Sequence, residues 1–558
     1  MRKIVKALSM AALTACFCAP LSAQELSAAD QASANAAIKV IRPEAIAAHM
    51  RFLSDDLLEG RQTGSRGHEL AVQYVATELE AMGLVPAGVN GTWFQTVPIR
   101  KVELVPEQSS FELVRDGKAQ TLIFGQDYIM DGNPLASDSG VEAGAVFVGF
   151  GVSAPEFQYD DYTGVDVRGK VVVMVRGAPP RFPSTERAYF SDGVVKARNA
   201  AAHGAVGIIT VMPPEFFERY KWDWIVPQIR AGGMWWLDPQ GVPADTHPEI
   251  RASALMNESG ARELFAGAPK TPAEIFAASR DSKSESFELP LKVKIHRMSR
   301  YTALESRNVI AKLAGSDPAL AKEYVVFTAH MDHLGICRPA EQDSVCHGAW
   351  DNASGTSAVL EVARAFSTLH HAPRRSILFV FVTGEEKGLR GSDFFAHYPT
   401  VPIDKIVADV NIDGAPGMIY PNKDIVPLGV EHSSLSKNVQ AAARKMGYTI
   451  SPDPLPEEVI FIRSDQYSFV KQGVPAVFIN AGRQSADPNL DGNAIFLKWI
   501  SSIYHTPKDN MSQTFYFDSA ARSTALSFLV GYEVAQQAER PTWNAGDFFG
   551  TKFSKQQH

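Results

Sequence analysis

An unbroken apolar heptapeptide, SILFVFV at residues 376–382, stops at Thr383-Gly384. Two adjacent carboxylates, Glu385 and Glu386, follow at once, and then Lys387-Gly388. A short continuous apolar run bounded by glycine reads as a strand buried on both faces, as in parallel sheets covered by helices. Such sheets bind ligands beyond the carboxyl ends of their strands. Two carboxylates side by side at that position repel one another, and burial raises the cost unless a cation lies between them. The stretch therefore points to an α/β fold with a metal centre at this strand end.

The surrounding pattern agrees. From Leu304 to Ala538 strands alternate with helices: strands at 324–328, 376–382, 406–412 and 474–479, helices at 354–369, 392–397, 433–446 and 518–537, and a helical turn at 465–472. This alternation predicts a mostly parallel central sheet flanked by helices. Near the start, Pro43-Glu44 opens an amphipathic helix with Ile46, Met50, Leu53 and Leu57 near one face. Residues 59–65 form a loop, and a second helix over 66–82 ends at Gly83. Residues 91–125 read as short strands with a hairpin turn at Asp116-Gly117. Residues 130–290 differ in texture, with short β runs at 145–151, 170–175 and 206–211 and a helix near 192–203. Trp222, Trp224, Trp235 and Trp236 form either a local aromatic core or an apolar wall at a cleft or subunit contact. Residues 24–41 read as a loose leader, and the tail 541–558 has no clear role.

The 558 residues suffice for about three to four domains. With 45 % apolar and 21 % charged residues the composition is that of a globular protein. The N-terminus reads as an export segment: Arg2, Lys3 and Lys6, an apolar stretch over 7–19, and a cleavage-type Leu21-Ser22-Ala23. Leu13-Thr14-Ala15-Cys16 also fits a lipobox, which would leave a lipid anchor on Cys16. Either reading sends the chain out of the cytoplasm, to the periplasm or beyond. Removing residues 1–23 takes the net charge from −8 to −11. With no basic block, nucleic acid is excluded as a partner. Nothing beyond the export segment is long and apolar enough to span a membrane. Cys337 and Cys346 are the cysteines outside that segment. In an exported protein they suggest a disulfide closing a short loop, the alternatives being free thiols or a metal pair.

Metal-type residues recur at the ends of the core strands. They are His330 and Asp332 after the strand at 324–328, Asp351 before a helix, Glu385-Glu386, Asp413-Gly414, and His505 in HTPKD. Each has an ordinary reading: a core histidine, an N-cap, a solvated loop, a turn, a surface histidine. Their joint occurrence at successive strand ends argues for a site. Imidazole and carboxylate together suit zinc. A bridging carboxylate allows two ions to be held by five ligands: His330, Asp351, Glu386, Asp413 and His505. Glu385 is left over as an unligated base, and Asp332 is placed to orient the His330 imidazole.

The segments AHMDH (329–333), DNASG (351–355), GEEKGLRGS (384–392), NIDG (411–414), SDQYSFVKQGVPA (464–476) and HTPKD (505–509) resemble the co-catalytic di-zinc aminopeptidase family. That family includes glutamate carboxypeptidase II, the transferrin receptor ectodomain and, more distantly, glutaminyl cyclase. RFLSDDLLEGRQTGSRG (51–67) resembles the N-terminal part of its peptidase domain, and YDDYTGVDVRGKVVVMVRG (159–177) resembles the protease-associated domain inserted in many members. After the export segment, read as a signal peptide over 1–23, the resemblance implies peptidase segments over 24–125 and 296–540, an inserted β-rich protease-associated domain over 126–295, and a tail over 541–558. It implies two Zn2+: one on His330, Asp351 and Asp413, the other on Asp351, Glu386 and His505, with Asp351 bridging. Glu385 is then the general base, and the Asp351-Asn352 peptide is expected to be cis.

Several aminopeptidases of the family place an oxyanion-stabilising tyrosine just before the Ser-Asp pair. Here Arg463 stands before Ser464-Asp465, so Arg463 or Tyr467 is the candidate for that role; Gln466 stands where many relatives have histidine. The expected function is an exported di-zinc aminopeptidase acting on short peptides. The alternatives are a carboxypeptidase, with Arg463 or Arg483 meeting the substrate carboxylate, a glutaminyl-cyclase-like enzyme, and a non-catalytic receptor-like relative.

Overall fold

The computed structural model describes residues 26–283, 285–340 and 342–554. The expected export segment and Cys16 lie outside them. Among the described residues no helix is long and apolar enough to cross a membrane.

The core is a sheet whose four central strands run parallel, in the order Ser376–Val382, Tyr324–His330, Ile406–Asn411 and Ala476–Ala481. An antiparallel strand closes each side: the end of Phe287–Leu313 against Ser376–Val382, and Asp424–Leu428 against Ala476–Ala481. Every residue of SILFVFV is buried. Period-two alternation sends Val325, Phe327 and Ala329 to one face and Val326 to the other. The first face packs helices Pro43–Leu53, Arg66–Ala81, Gly355–Ser367, Leu435–Met446 and Phe517–Gln536. The second meets Arg390–His397 and Gln466–Val470 through Phe395 and Phe469. Each buried phenyl here contributes roughly 1.5–3 kcal/mol. Gly531 lets the last long helix press onto this layer, because a Cβ there would lie 2.2 Å from Phe327 Cζ. With both faces covered, the open positions are the carboxyl ends of the strands, where the predicted site residues stand.

A second sheet forms over residues 110–298. Its parallel strands Asp138–Phe147, Val171–Val175, Gly207–Val211 and Ala252–Met256 lie side by side. The two sheets are not joined by a linker. The 27-residue strand Phe287–Leu313 pairs with Asp138–Phe147 along its first half, with Phe94–Leu104 next, and with Ser376–Val382 at its end. The boundary expected at 295/296 falls inside it.

Other expectations need correction. The first amphipathic helix stops at Leu53, and Leu57, placed on its buried face, is 73 % exposed in the turn that follows. The leader 24–41 contains a helix, Ala28–Ala37, because Ser27 caps it and the small Ala34 and Ala37 pack into the core. The strand expected at 145–151 runs over Asp138–Phe147 and gives way to a turn with Gly149 and Gly151 at positive φ. The tail is ordered through Phe548–Phe553, whose Phe549 is fully buried. The four tryptophans do not form one cluster. Trp236 wedges beside Phe394 and donates to Asp393 at 2.8 Å, whereas Trp222 donates to Gly125 O at 2.8 Å.

Candidate metal centre

His330 is the last residue of its strand and fully buried. Its Nδ1 lies 3.2 Å from the Asp332 carbonyl. A carbonyl only accepts, so Nδ1 carries a proton there and Nε2 faces the site. That Nε2 is 3.3 Å from Asp351 Oδ1 and 3.2 Å from Asp413 Oδ1. Asp332 thus orients His330 through its backbone. Its carboxylate, 3.9 Å away, accepts instead from the Thr63 hydroxyl at 2.9 Å and the Glu385 amide at 3.2 Å. Ser464 Oγ donates to Asp413 at 2.7 Å and fixes that carboxylate in turn.

Asp351 sits in an irregular turn ahead of the helix Gly355–Ser367, and the Asp351–Asn352 peptide is cis. The Asp509 carboxylate accepts from the amides of Trp350 at 2.8 Å and Asp351 at 3.1 Å, which holds this turn. His505 Nε2 approaches Asp351 Oδ2 at 3.0 Å and Glu386 Oε2 at 3.3 Å. A residue not singled out from sequence approaches the same pair. His333 Nδ1 is 2.5 Å from Glu386 Oε1 and 3.8 Å from Asp351 Oδ2. Two three-residue sets therefore have ligand-type atoms within 4.8 Å of one another: His330, Asp351 and Asp413, and His333, Asp351 and Glu386. They share Asp351. The rings of His333 and His505 stand edge to face at 5.7 Å across the second set. His333 was visible in sequence as the second histidine of AHMDH.

The cluster fits metal ions on its own chemistry. His333 Nε2 is buried without a hydrogen bond, and His333 Nδ1 meets Glu386 Oε1 at 2.5 Å without hydrogen-bond geometry, a crowding of buried ligand-type atoms that a cation would relieve. The donors are imidazole nitrogen and carboxylate oxygen, which suit zinc. Glu385 belongs to neither set. Burial pushes its carboxyl well above the ordinary range, and Asp413, Glu386 and Asp465 push the same way against His330. Burial would raise Asp351 too, but the bonds to His330 and His505 hold it well below.

Asp351, Glu385, Glu386, Asp413 and His505 line one end of a cleft of about 340 Å³ whose walls include Ile460, Ile462, Phe478, Phe496 and Tyr504. Arg463 lines it as well, with Nη1 at 3.4 Å from Glu458 Oε2. Tyr220, from the region of the second sheet, reaches the same wall and donates to Glu458 Oε2 at 2.7 Å. Tyr467 does not reach the cleft. It is 2 % exposed and packs beside Phe461 and Lys471, because its helix directs it into the core. Tyr504 does line the cleft, its ring stacked on that of His505 at 3.7 Å. Burial raises its hydroxyl well above the ordinary phenol value, with Asp351, Glu386 and Glu385 adding to the effect. Arg483 lies off the cleft over the Phe496 ring, donating to Ala481 O at 3.1 Å. Cys337 and Cys346 form a disulfide across the hairpin that leads into the Asp351 turn.

Comparison with known proteins gives a family match over the residues that carry this cluster. Residues 308–528 match the model of peptidase family M28, and residues 136–228 match the PA domain. Aminopeptidase NAALADL1 of Mus musculus is 28 % identical over 262 residues, covering 39 % of this chain and 33 % of that protein. Its Rattus norvegicus counterpart is 26 % identical over 302 residues, covering 47 % and 37 %. The match thus spans about a third of the length of these relatives. The solved aminopeptidase from Aneurinibacillus sp. strain AM-1 superposes with a TM-score of 0.52 at 18 % identity, covering 91 % of this chain and 97 % of that one, which is likeness of fold. The segment that carries the cluster, residues 308–528, is thus matched by peptidase family M28, and residues 136–228 by the PA domain.

Proposed function

We propose that the protein is a di-zinc aminopeptidase that removes N-terminal residues from short peptides. The observation that carries this reading is the pair of ligand sets sharing Asp351, with Glu385 beside them in neither set. His330, Asp351 and Asp413 would hold one ion, and Asp351 and Glu386 with His333 and His505 the other. Zinc there would supply Lewis acidity toward the scissile carbonyl and toward water.

The chain's own groups account for the remaining work. The Asp332 carboxylate holds the Glu385 amide at 3.2 Å and so fixes the start of that loop. Glu385 takes the proton of the attacking water and returns it to the leaving amine. The Tyr504 hydroxyl donates to the carbonyl oxygen as charge develops on it. The apolar walls receive an aliphatic or aromatic side chain.

Charge favours an aminopeptidase over a carboxypeptidase. Among the residues that line the cleft, Arg463 is the single arginine or lysine against Asp351, Glu385, Glu386, Asp413 and Glu458, which supports recognition of an N-terminal ammonium rather than a carboxylate. Arg463 on the wall is tied to Glu458. Tyr220 narrows the cleft from the side of the second sheet, which supports a limit on substrate length. The disulfide supports an exported protein in an oxidising compartment.

The test combines a zinc assay on purified protein with leucyl-p-nitroanilide, its N-acetyl derivative, and dipeptides blocked at either end. Hydrolysis should require zinc and a free amino terminus. Cleavage of the N-acetyl substrate at the same rate would overturn the aminopeptidase assignment, and no zinc binding would overturn the whole reading.

A further inference from the structure

Arg61 is 1 % exposed, and no carboxylate pairs with it directly among the ion pairs of the described residues. Its guanidinium is spread over backbone carbonyls instead. Nε donates to Met331 O at 2.9 Å, Nη1 to His347 O at 2.7 Å and to Leu53 O, and Nη2 to Gly348 O at 3.0 Å. The Arg61 carbonyl accepts from the His333 amide at 3.1 Å. Met331 lies between His330 and Asp332, and Gly348 lies three residues before Asp351. One planar fork therefore ties the strand end carrying His330 and His333 to the turn carrying Asp351.

The loop is shaped to deliver this side chain. Glu59, Gly60 and Arg61 all adopt positive φ. A Cβ on Gly60 would lie 2.5 Å from Cys346 O and 2.6 Å from Gly335 O, so the loop presses against the disulfide hairpin. Left-handed backbone at two non-glycine residues persists only where the surroundings enforce it. Burial lowers the Arg61 pKa to about 10, with Asp351, Asp509, Asp332 and Glu386 opposing, so the group stays charged at neutral pH.

We infer that Arg61 is a positioning residue for the metal centre, setting the separation of the His330–His333 strand end and the Asp351 turn and placing a fixed positive charge behind their carboxylates. The inference rests on the metal reading above. Arg61 is not among the residues that line the cleft.

The test compares wild type with Arg61→Lys, which keeps the charge and loses the fork, and Arg61→Gln, which keeps a planar donor and loses the charge. Zinc affinity is measured by chelator competition on the full chain, alongside KM and kcat at saturating zinc. Both variants should bind zinc about 10–100-fold more weakly, with kcat reduced and KM unchanged. Wild-type zinc affinity in a folded Arg61→Lys protein would overturn the inference. So would failure of that variant to fold at any zinc concentration, which would make the residue purely structural. If wild type itself binds no zinc, it is the metal reading that fails.

Discussion

Replacing Glu385 with glutamine separates catalysis from metal binding in this cleft. The substitution is isosteric and removes a charge that neither ligand set uses. The contact that fixes the loop is made by the Glu385 backbone amide to Asp332, so it survives the change. The lost interaction is general-base proton transfer, which contributes about 10²–10⁴-fold, or about 3–5.5 kcal/mol of activation free energy. Stability should not fall, because Glu385 is buried among Asp413, Glu386 and Asp465, all of which oppose its ionisation. Removing that charge leaves Tm unchanged or higher. The assay is kcat and KM on an aminoacyl anilide, with zinc per chain measured on the same sample. The expected result is full zinc, unchanged KM and kcat down at least a hundredfold. Activity within tenfold of wild type at full zinc would refute the assignment of Glu385 as the base. Loss of zinc would instead make it a ligand.

Two further predictions concern buried groups away from the reacting atoms. Lys196 is 4 % exposed and donates to Val175 O at 3.1 Å, and burial lowers its pKa to about 7 against an unfolded value near 10.5. Between those values the unfolded chain binds more protons, so stability rises with pH through that window, and the cost of burying the charge is full below pH 7. Lys196→Met should raise Tm markedly at pH 6 and progressively less toward pH 10, and an equal shift at both ends would refute the reasoning. Thr328 Oγ1 lies 3.0 Å from Asp409 Oδ1 and 2.9 Å from Asn411 Oδ1. Asn411 Nδ2 donates to Ser464 Oγ at 2.7 Å, so its Oδ1 is the acceptor, and the single Thr328 proton goes there. Asp409 must then donate to Thr328, which requires it to be protonated, as burial dictates by pushing its carboxyl well above the ordinary range. Asp409→Asn should leave Tm and kcat near wild type, whereas a loss of more than about 2 kcal/mol, beyond the price of one neutral hydrogen bond, would show an ionised carboxylate.

Much of the centre was legible because its residues follow buried strands. A run such as SILFVFV advertises its own end, and Glu385, Glu386 and Asp413 are the polar residues that come next. His333 was harder to read. It lies beyond the strand, and five ligands already satisfied a two-ion count, so nothing in the spacing called for a sixth group. Tyr467 and Tyr504 differ in direction rather than in chemistry. Which face of a five-residue helix looks into the cleft is settled by packing, and Tyr467 was drawn into the core beside Phe461. Ala28–Ala37 lacked apolar contrast, since alanine carries little periodic signal and the helix depends on its cap and its fit against the core. Arg61 lies in the 51–67 motif, but a charge satisfied by the Leu53 carbonyl and by carbonyls from two distant segments leaves no trace in local sequence.

The strand Phe287–Leu313 has a mechanical consequence. A cleft walled by two lobes usually opens by rotation at short flexible connections. Here the lobes share one hydrogen-bonded strand of 27 residues, braced along its middle by Phe94–Leu104. Bending that ribbon would break ladder bonds in both sheets, so the lobes behave as ends of one stiff beam. Passage into the cleft then falls to small parts of the wall, chiefly the segment carrying Tyr220 and its bond to Glu458. Substrate would enter past a side-chain latch on a rigid frame, with the metal centre held at fixed spacing throughout.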